Sequence, residues 1–129
     1  MRGLLNDERG STPVEFVLVG VLLTTLTVAV LQLGLAVYVR NVVHDAAVEG
    51  AYYGALADVD TRAGAARALD VVAGAVGEGF VDEVSARESV ELGHETVAVT
   101  VTTRLPLIGL IGIPRGWEVT VHAPAETLD

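Results

Sequence analysis

The sequence predicts an α+β protein, in which a long N-terminal helix precedes a second helix and about three antiparallel strands. Three patterns support this fold class. Residues 16 to 39 carry no charged side chain, apolar residues after position 60 recur with helical spacing, and the last third of the chain alternates valine with polar residues. A run of about 24 uncharged residues is long enough to cross the ~30 Å hydrocarbon core of a membrane as a helix. We therefore expect one membrane helix followed by one small domain.

Composition limits the classes of protein that this chain can represent. Its 129 residues suffice for one modest domain. The mean hydropathy of +0.52 is high for a soluble domain, and the excess lies in residues 16 to 39. A formal net charge of −9 argues against nucleic acid as a partner, because binding phosphates needs clustered basic residues. The absence of cysteine excludes disulfides and thiolate metal sites, and we predict no cofactor.

Two other interpretations of the apolar run are weaker than a membrane span. A core helix in so small a domain would rarely be apolar on every face. A cleaved secretory signal has a shorter apolar region, of about 7–15 residues, with a small-residue cleavage site after it. Here Arg40 and Asn41 follow instead. Two arginines, Arg2 and Arg9, precede the apolar run, and one, Arg40, closely follows it. This small excess of basic residues before the run is compatible with a short cytoplasmic N-terminal segment and an exported C-terminal domain.

Glu15 stands at the entrance of the apolar run, where a carboxylate driven into lipid would be costly without a partner. A carboxylate solvated at headgroup level is the simpler alternative. The surrounding segment resembles the processing site of type IV prepilins: Gly10-Ser11-Thr12-Pro13-Val14-Glu15-Phe16. In that superfamily a leader peptidase cuts after a glycine, and glutamate is the fifth residue of the mature chain. The resemblance implies cleavage between Gly10 and Ser11, and pairing of Glu15 with the α-amine of a neighbouring subunit.

The residues after the apolar run narrow this resemblance. Residues 38 to 51 resemble the corresponding stretch of TadE-like proteins, the minor pilins (pseudopilins) of tight-adherence, or Flp, pili. The positions that carry it are Arg40, Asn41, Ala46, Ala47, Glu49, Gly50 and Ala51. Tyr52 departs from the pattern, because the family commonly has a basic residue there.

The resemblance implies a division of the chain and a set of partners. The expected regions are a prepilin leader at residues 1–10, a transmembrane and assembly helix at residues 11–39, and an exported α+β domain at residues 40–129. The expected partners are other pilin subunits, pilus assembly proteins, the prepilin peptidase and the membrane.

The exported domain begins with a continuation of the first helix. Ala46, Gly50 and Gly54 recur every four residues and allow another backbone to approach closely, either within the domain or between subunits. A second helix is expected to start with a cap at Asp60 or Thr61 and to end near residue 80. Its predicted buried face consists of Ala65, Leu69, Val72 and Val76.

Strands are predicted at residues 89–92, 97–102 and 117–122, with the acidic pair Asp82 and Glu83 in a solvated turn before them. A proline-bracketed apolar loop separates the last two strands. It either contacts a partner or covers the core, and its apolar members are Leu107, Ile108, Leu110, Ile111 and Ile113.

Catalytic and metal-binding patterns are lacking in the sequence. His44, His94 and His122 are far apart and have no ligand-spaced neighbours. No nucleophile elbow, phosphate loop or metalloprotease motif occurs, so we expect no enzyme. Two alternatives to a tight-adherence pilin stay open: a pseudopilin of a type II secretion system, and an uncleaved, membrane-anchored binding domain.

Overall fold

The computed structural model describes residues 10–105 and 113–126, and at residues 105 and 113–115 only the backbone. The predicted α+β class is confirmed. The elements are α1 (Ser11–Gly54), α2 (Thr61–Val76), a 3₁₀ turn (Glu78–Phe80), β1 (Val81–Glu91), β2 (His94–Leu105) and β3 (Ile113–Pro124). The chain divides into two compact units, of which the first ends at Gly34 and the second begins at Leu35. The expected division between residues 39 and 40 stays a prediction.

The first unit contains the N-terminal part of α1. Within the described residues, α1 is the one helix long and apolar enough to span a membrane; its most apolar 18 residues have a mean hydropathy of 2.4, and none of them is buried. Thr24, Thr25 and Thr27 each donate a 2.8 Å hydrogen bond to the carbonyl oxygen four residues earlier. These bonds satisfy hydroxyl groups that would otherwise be unpaired in an apolar medium.

The second unit contains an antiparallel sheet with the strand order β1-β2-β3. Leu92 and Gly93 connect β1 to β2 with positive φ angles of 54° and 83°, the left-handed pair that a two-residue hairpin turn requires. β1 is longer than predicted. It starts at Val81 because Val84 and Ala86 pair with Val101 and Val99 and extend the apolar face of the sheet.

The second helix has the predicted cap, and its buried face agrees with the prediction at Val72 and in part at Val76, but not at Leu69. Asp60 caps α2 through its carboxylate, which accepts a 2.9 Å hydrogen bond from the backbone N–H of Arg62. The helix ends at Val76, earlier than predicted, because Gly77 adopts a φ of 94°. Leu69 was expected in the core and is 41% exposed. The buried residues of α2 are Gly64, Ala68 and Val72.

Small residues bring the two helices into backbone contact, which explains the shifted face. A Cβ atom added to Gly50 would lie 2.6 Å from the carbonyl oxygen of Gly64 and 2.8 Å from the Cβ atom of Ala68. A Cβ added to Gly64 would meet the carbonyl oxygen of Gly50 at 2.5 Å. The four-residue stripe on α1 therefore packs within its own domain. The core that results contains valines and alanines from both helices and from the sheet: Val39, Val43, Ala46, Ala47, Ala51, Ala55, Ala68, Val72, Val97, Val99, Val101 and Ala123.

The helix contact predicts opposite effects for two glycine substitutions. Gly50→Ala should destabilise the domain by about 1–3 kcal/mol, because the added methyl group overpacks a close contact. Gly74→Ala, in α2 with no atom within 4 Å of the new Cβ, should stabilise it by about 0.5–1 kcal/mol. Denaturant unfolding of the full chain in detergent, followed by Trp117 fluorescence, would measure both. Equal effects of the two substitutions would contradict the close contact.

Candidate functional site

The start of α1 combines an exposed peptide bond with a carboxylate one helical turn later. Gly10 lies in an exposed turn, and α1 begins at Ser11. The Ser11 hydroxyl donates a 3.1 Å hydrogen bond to Oε1 of Glu15. Both side chains are therefore on the same side of the helix, because residues four apart face each other. Phe16 follows with its ring exposed. Four predicted site residues thus lie together, although no interaction in the structure tests their predicted roles.

The surface of α1 around and beyond Glu15 is apolar and uncovered. Exposed large apolar side chains occur on every side of the helix: Val14, Phe16, Val17, Leu18, Val19, Val21, Leu22, Leu23, Leu26, Val28, Val30, Leu31, Leu33, Leu35 and Val37. Soluble monomers rarely expose so much contiguous apolar surface. Lipid or other apolar helices are the surroundings in which this surface is stable.

The predicted motif after the apolar run is largely part of the domain core. Ala46, Ala47, Gly50 and Ala51 are all buried, and the three alanines belong to the core cluster. Their spacing places them on the face of α1 that meets α2 and the sheet. These residues therefore pack the last part of α1 against α2 and the sheet.

The charged motif residues connect α1 to other elements at the domain surface. Glu49 accepts two hydrogen bonds from the guanidinium of Arg67 on α2, one of them from Nε at 2.8 Å. The guanidinium of Arg40 lies 5.5 Å from the ring centroid of Trp117 on β3, within the range of a cation–π contact. Asn41 is exposed.

The sequence analysis missed both partners, Arg67 and Trp117. Arg67 lies 18 positions after Glu49 and Trp117 lies 77 positions after Arg40, so helical spacing could not have paired them. The one available signal was that the chain has a single tryptophan and few basic residues.

Other predicted features have mixed outcomes. Leu107, Ile108, Leu110 and Ile111 lie outside the described residues. Ile113 does not belong to the loop, because its backbone pairs with Leu105 and begins β3.

The acidic pair before the sheet was also placed wrongly. Asp82 and Glu83 lie in β1, and Asp82 accepts a 2.6 Å hydrogen bond from Nε of Arg104 with 14% of its side chain exposed. The prediction failed because the pair interrupts the apolar alternation at a bulge between Val81 and Glu83.

The titratable side chains form no metal site in the part of the chain that the structure describes. His122 lies 3.4 Å from Glu91, measured from Nδ1 to Oε2. No third ligand joins the two residues.

A cavity of about 430 Å³ lies at the far end of α1, between the segment after Gly54 and the ends of the strands. Its described lining includes the carboxylates of Glu88, Glu95 and Glu126, and the hydroxyl of Thr61 donates a 3.4 Å hydrogen bond to Glu88. No histidine, lysine or arginine is among the described residues that line it.

Comparison with known proteins agrees with the sequence resemblance. A family model described as TadE-like protein matches residues 10–51, from the predicted cleavage site to the end of the motif. The resemblance to TadE-like proteins is thereby confirmed, and it suggests a protein associated with Tad, or tight-adherence, pili. Neither curated proteins nor solved structures give a significant match to the chain.

The pairing of Glu49 with Arg67 predicts a small energetic coupling. Both side chains are about half exposed, so a double-mutant cycle of Glu49→Gln and Arg67→Gln should give about 0.2–1 kcal/mol, decreasing with added salt. Denaturant unfolding of the four chains would measure it. A salt-independent coupling well above this range would contradict a solvated surface pair.

Proposed function

We propose that this chain, whose residues 10–51 are TadE-like, is a minor pilin (pseudopilin) of a tight-adherence pilus. A prepilin peptidase removes the residues up to Gly10. The subunit then enters the pilus or primes its assembly, and it contributes to surface attachment. In this proposal α1 holds the subunit in the membrane first, and afterwards packs the same apolar surface against the helices of other subunits.

The observation that carries the proposal is the combination of Glu15 with an uncovered apolar helix. From Phe16 to Val39, α1 has no charge, and its large side chains are exposed as far as Tyr38. A helix of this kind satisfies its own backbone and needs no polar partner in lipid. The carboxylate of Glu15 at its start is the charged exception, and it requires either water or a cation.

The predicted cleavage would supply that cation. Cutting the bond between Gly10 and Ser11 leaves a new α-amine on the residue whose hydroxyl already contacts Glu15. Within a filament, the amine of one subunit and the carboxylate of the next would neutralise each other in apolar surroundings. A buried pair of charges adds little net stability, but leaving one member unpaired is costly. Such a pair therefore disfavours every register of the helices except the one in which it forms.

The family comparison separates the two pilin candidates. The match over residues 10–51 favours the tight-adherence system over a type II secretion system. If the chain is instead an uncleaved membrane anchor, the residues before Ser11 stay attached. The processing experiment therefore distinguishes this alternative from both pilins.

The proposed cleavage after Gly10 determines the mass and the N-terminus that we expect for the chain recovered from cells with an active prepilin peptidase. Intact-mass analysis and N-terminal sequencing should give a chain that begins at Ser11. Gly10→Val should retain the leader, because the peptidase recognises the glycine. Gly20→Val is the matched control, since a Cβ has free space at both positions, and it should be cut normally. A wild-type chain that still starts at Met1 or Arg2 would contradict the proposal.

In the proposed function Glu15 acts in assembly and not in cleavage. Glu15→Gln should be cut normally, but its recovery in the sheared pilus fraction should decrease at least about tenfold, because an unpaired buried amine costs about 3–5 kcal/mol. Glu118→Gln, at an exposed position on β3, should assemble like the wild type. If Glu15→Gln assembled as well as the wild type, Glu15 would not set the register of the helices. The proposed processing would not be contradicted by that result.

A further inference from the structure

The contact between Arg40 and Trp117 fixes one end of the sheet near the exit of the apolar run. Arg40 is the first charged residue after Val39. An arginine at the end of a membrane helix extends its guanidinium to the headgroup layer. Trp117 lies 5.5 Å beneath that guanidinium, measured to its ring centroid. Trp117, on β3, is therefore held next to Arg40.

The residues around this contact have the composition of a membrane interface. Tyr38 is 51% exposed, and it precedes Arg40 by two positions on α1. Tryptophan and tyrosine are enriched at membrane–water boundaries, where one end of the side chain is apolar and the other is hydrated. The chain contains one tryptophan and three tyrosines, and two of these four side chains lie at this end of the domain.

Arg40 supplies a basic group at this end of a chain whose net charge is −9. A second basic residue, Arg104, follows Thr103, which pairs with Trp117 in the sheet, and its guanidinium is paired with Asp82. Phosphate is the anion that an arginine at a membrane boundary meets.

We propose that Tyr38, Arg40 and Trp117 form a headgroup anchor, which binds the phospholipid headgroup layer and holds the exported domain against the membrane before assembly. The guanidinium of Arg40 would contact lipid phosphate, and the two aromatic rings would lie at the boundary with the acyl chains. The anchor rests on the membrane-spanning step of the proposed function. It requires no processing and no pilus.

Trp117 is the only tryptophan of the chain, so its fluorescence reports the anchor directly. The full chain would be reconstituted into phosphatidylcholine–phosphatidylglycerol vesicles, with and without lipids brominated at the upper acyl positions. We expect bromine to quench Trp117 strongly, and vesicles to protect it from acrylamide. Trp117 that acrylamide quenches freely and bromine does not would overturn the anchor. The same result would favour a protein partner for this surface.

A matched reporter controls for nonspecific quenching. Tyr53→Trp in a Trp117→Phe background moves the tryptophan to an exposed position of α1, about 20 Å beyond Arg40 along the helix axis at 1.5 Å per residue. We expect this tryptophan to be quenched by acrylamide and not by bromine. Equal bromine quenching at both positions would overturn a local anchor.

Charge reversal tests the contribution of Arg40. Arg40→Glu should weaken the bromine quenching of Trp117, whereas Arg87→Glu, at an exposed position of β1, should leave it unchanged. Identical quenching in both variants would show that Arg40 does not contribute to the anchor.

Flotation of the vesicles distinguishes failure of the membrane span from failure of the anchor. A chain that does not float contradicts the membrane span as well, and a chain that floats with solvent-exposed Trp117 contradicts the anchor alone.

Discussion

The backbone contact between α1 and α2 is the constraint on which the rest of the domain depends. At Gly50 and Gly64 each helix approaches the carbonyl oxygen of the other more closely than any side chain would permit. This short distance lets alanines and valines fill the space between the helices and the sheet. A core of small side chains gains its stability from many close dispersion contacts. Because the chain has no cysteine, no disulfide can compensate for a poorly packed interface.

The composition of α1 changes along its length, and the change matches its surroundings. Its first part has leucine, valine and phenylalanine on all sides, which suits lipid or a bundle of other helices. Its last part has alanine and glycine on one face and charged or aromatic residues on the others. Among the described residues the first part is exposed, whereas the second has a face buried against α2 and the sheet. The stretch that the TadE-like family model matches, residues 10–51, spans this transition, so it combines exposed apolar residues with packing residues.

The sequence was informative where one local pattern determined the structure. The uncharged run, the cap at Asp60 and the alternation of β2 depend on neighbouring residues alone. β1 was underestimated because serine, arginine and glutamate separate its valines. The buried face of α2 was shifted because apolarity favoured Leu69, whereas the neighbouring helix selected the smallest residues. The contacts of Arg40 and Glu49 join residues distant in sequence, so no local pattern could reveal them. The residues predicted to act in processing and assembly follow the spacing of a known signal, and their roles stay predictions. The proposed partners of these residues are other molecules, which a single chain does not contain.

The burial of the last part of α1 has a mechanical consequence. A pull on α1 reaches the core through the part of this helix whose buried residues extend from Val39 to Gly54. A load in that direction shears all of these contacts together, whereas a load across the hairpin of β2 and β3 would separate its hydrogen bonds one pair at a time. The lifetime under load is governed by the rate of unfolding and not by equilibrium stability. We expect a chain built in this way to resist extraction by its helix better than its small core would suggest.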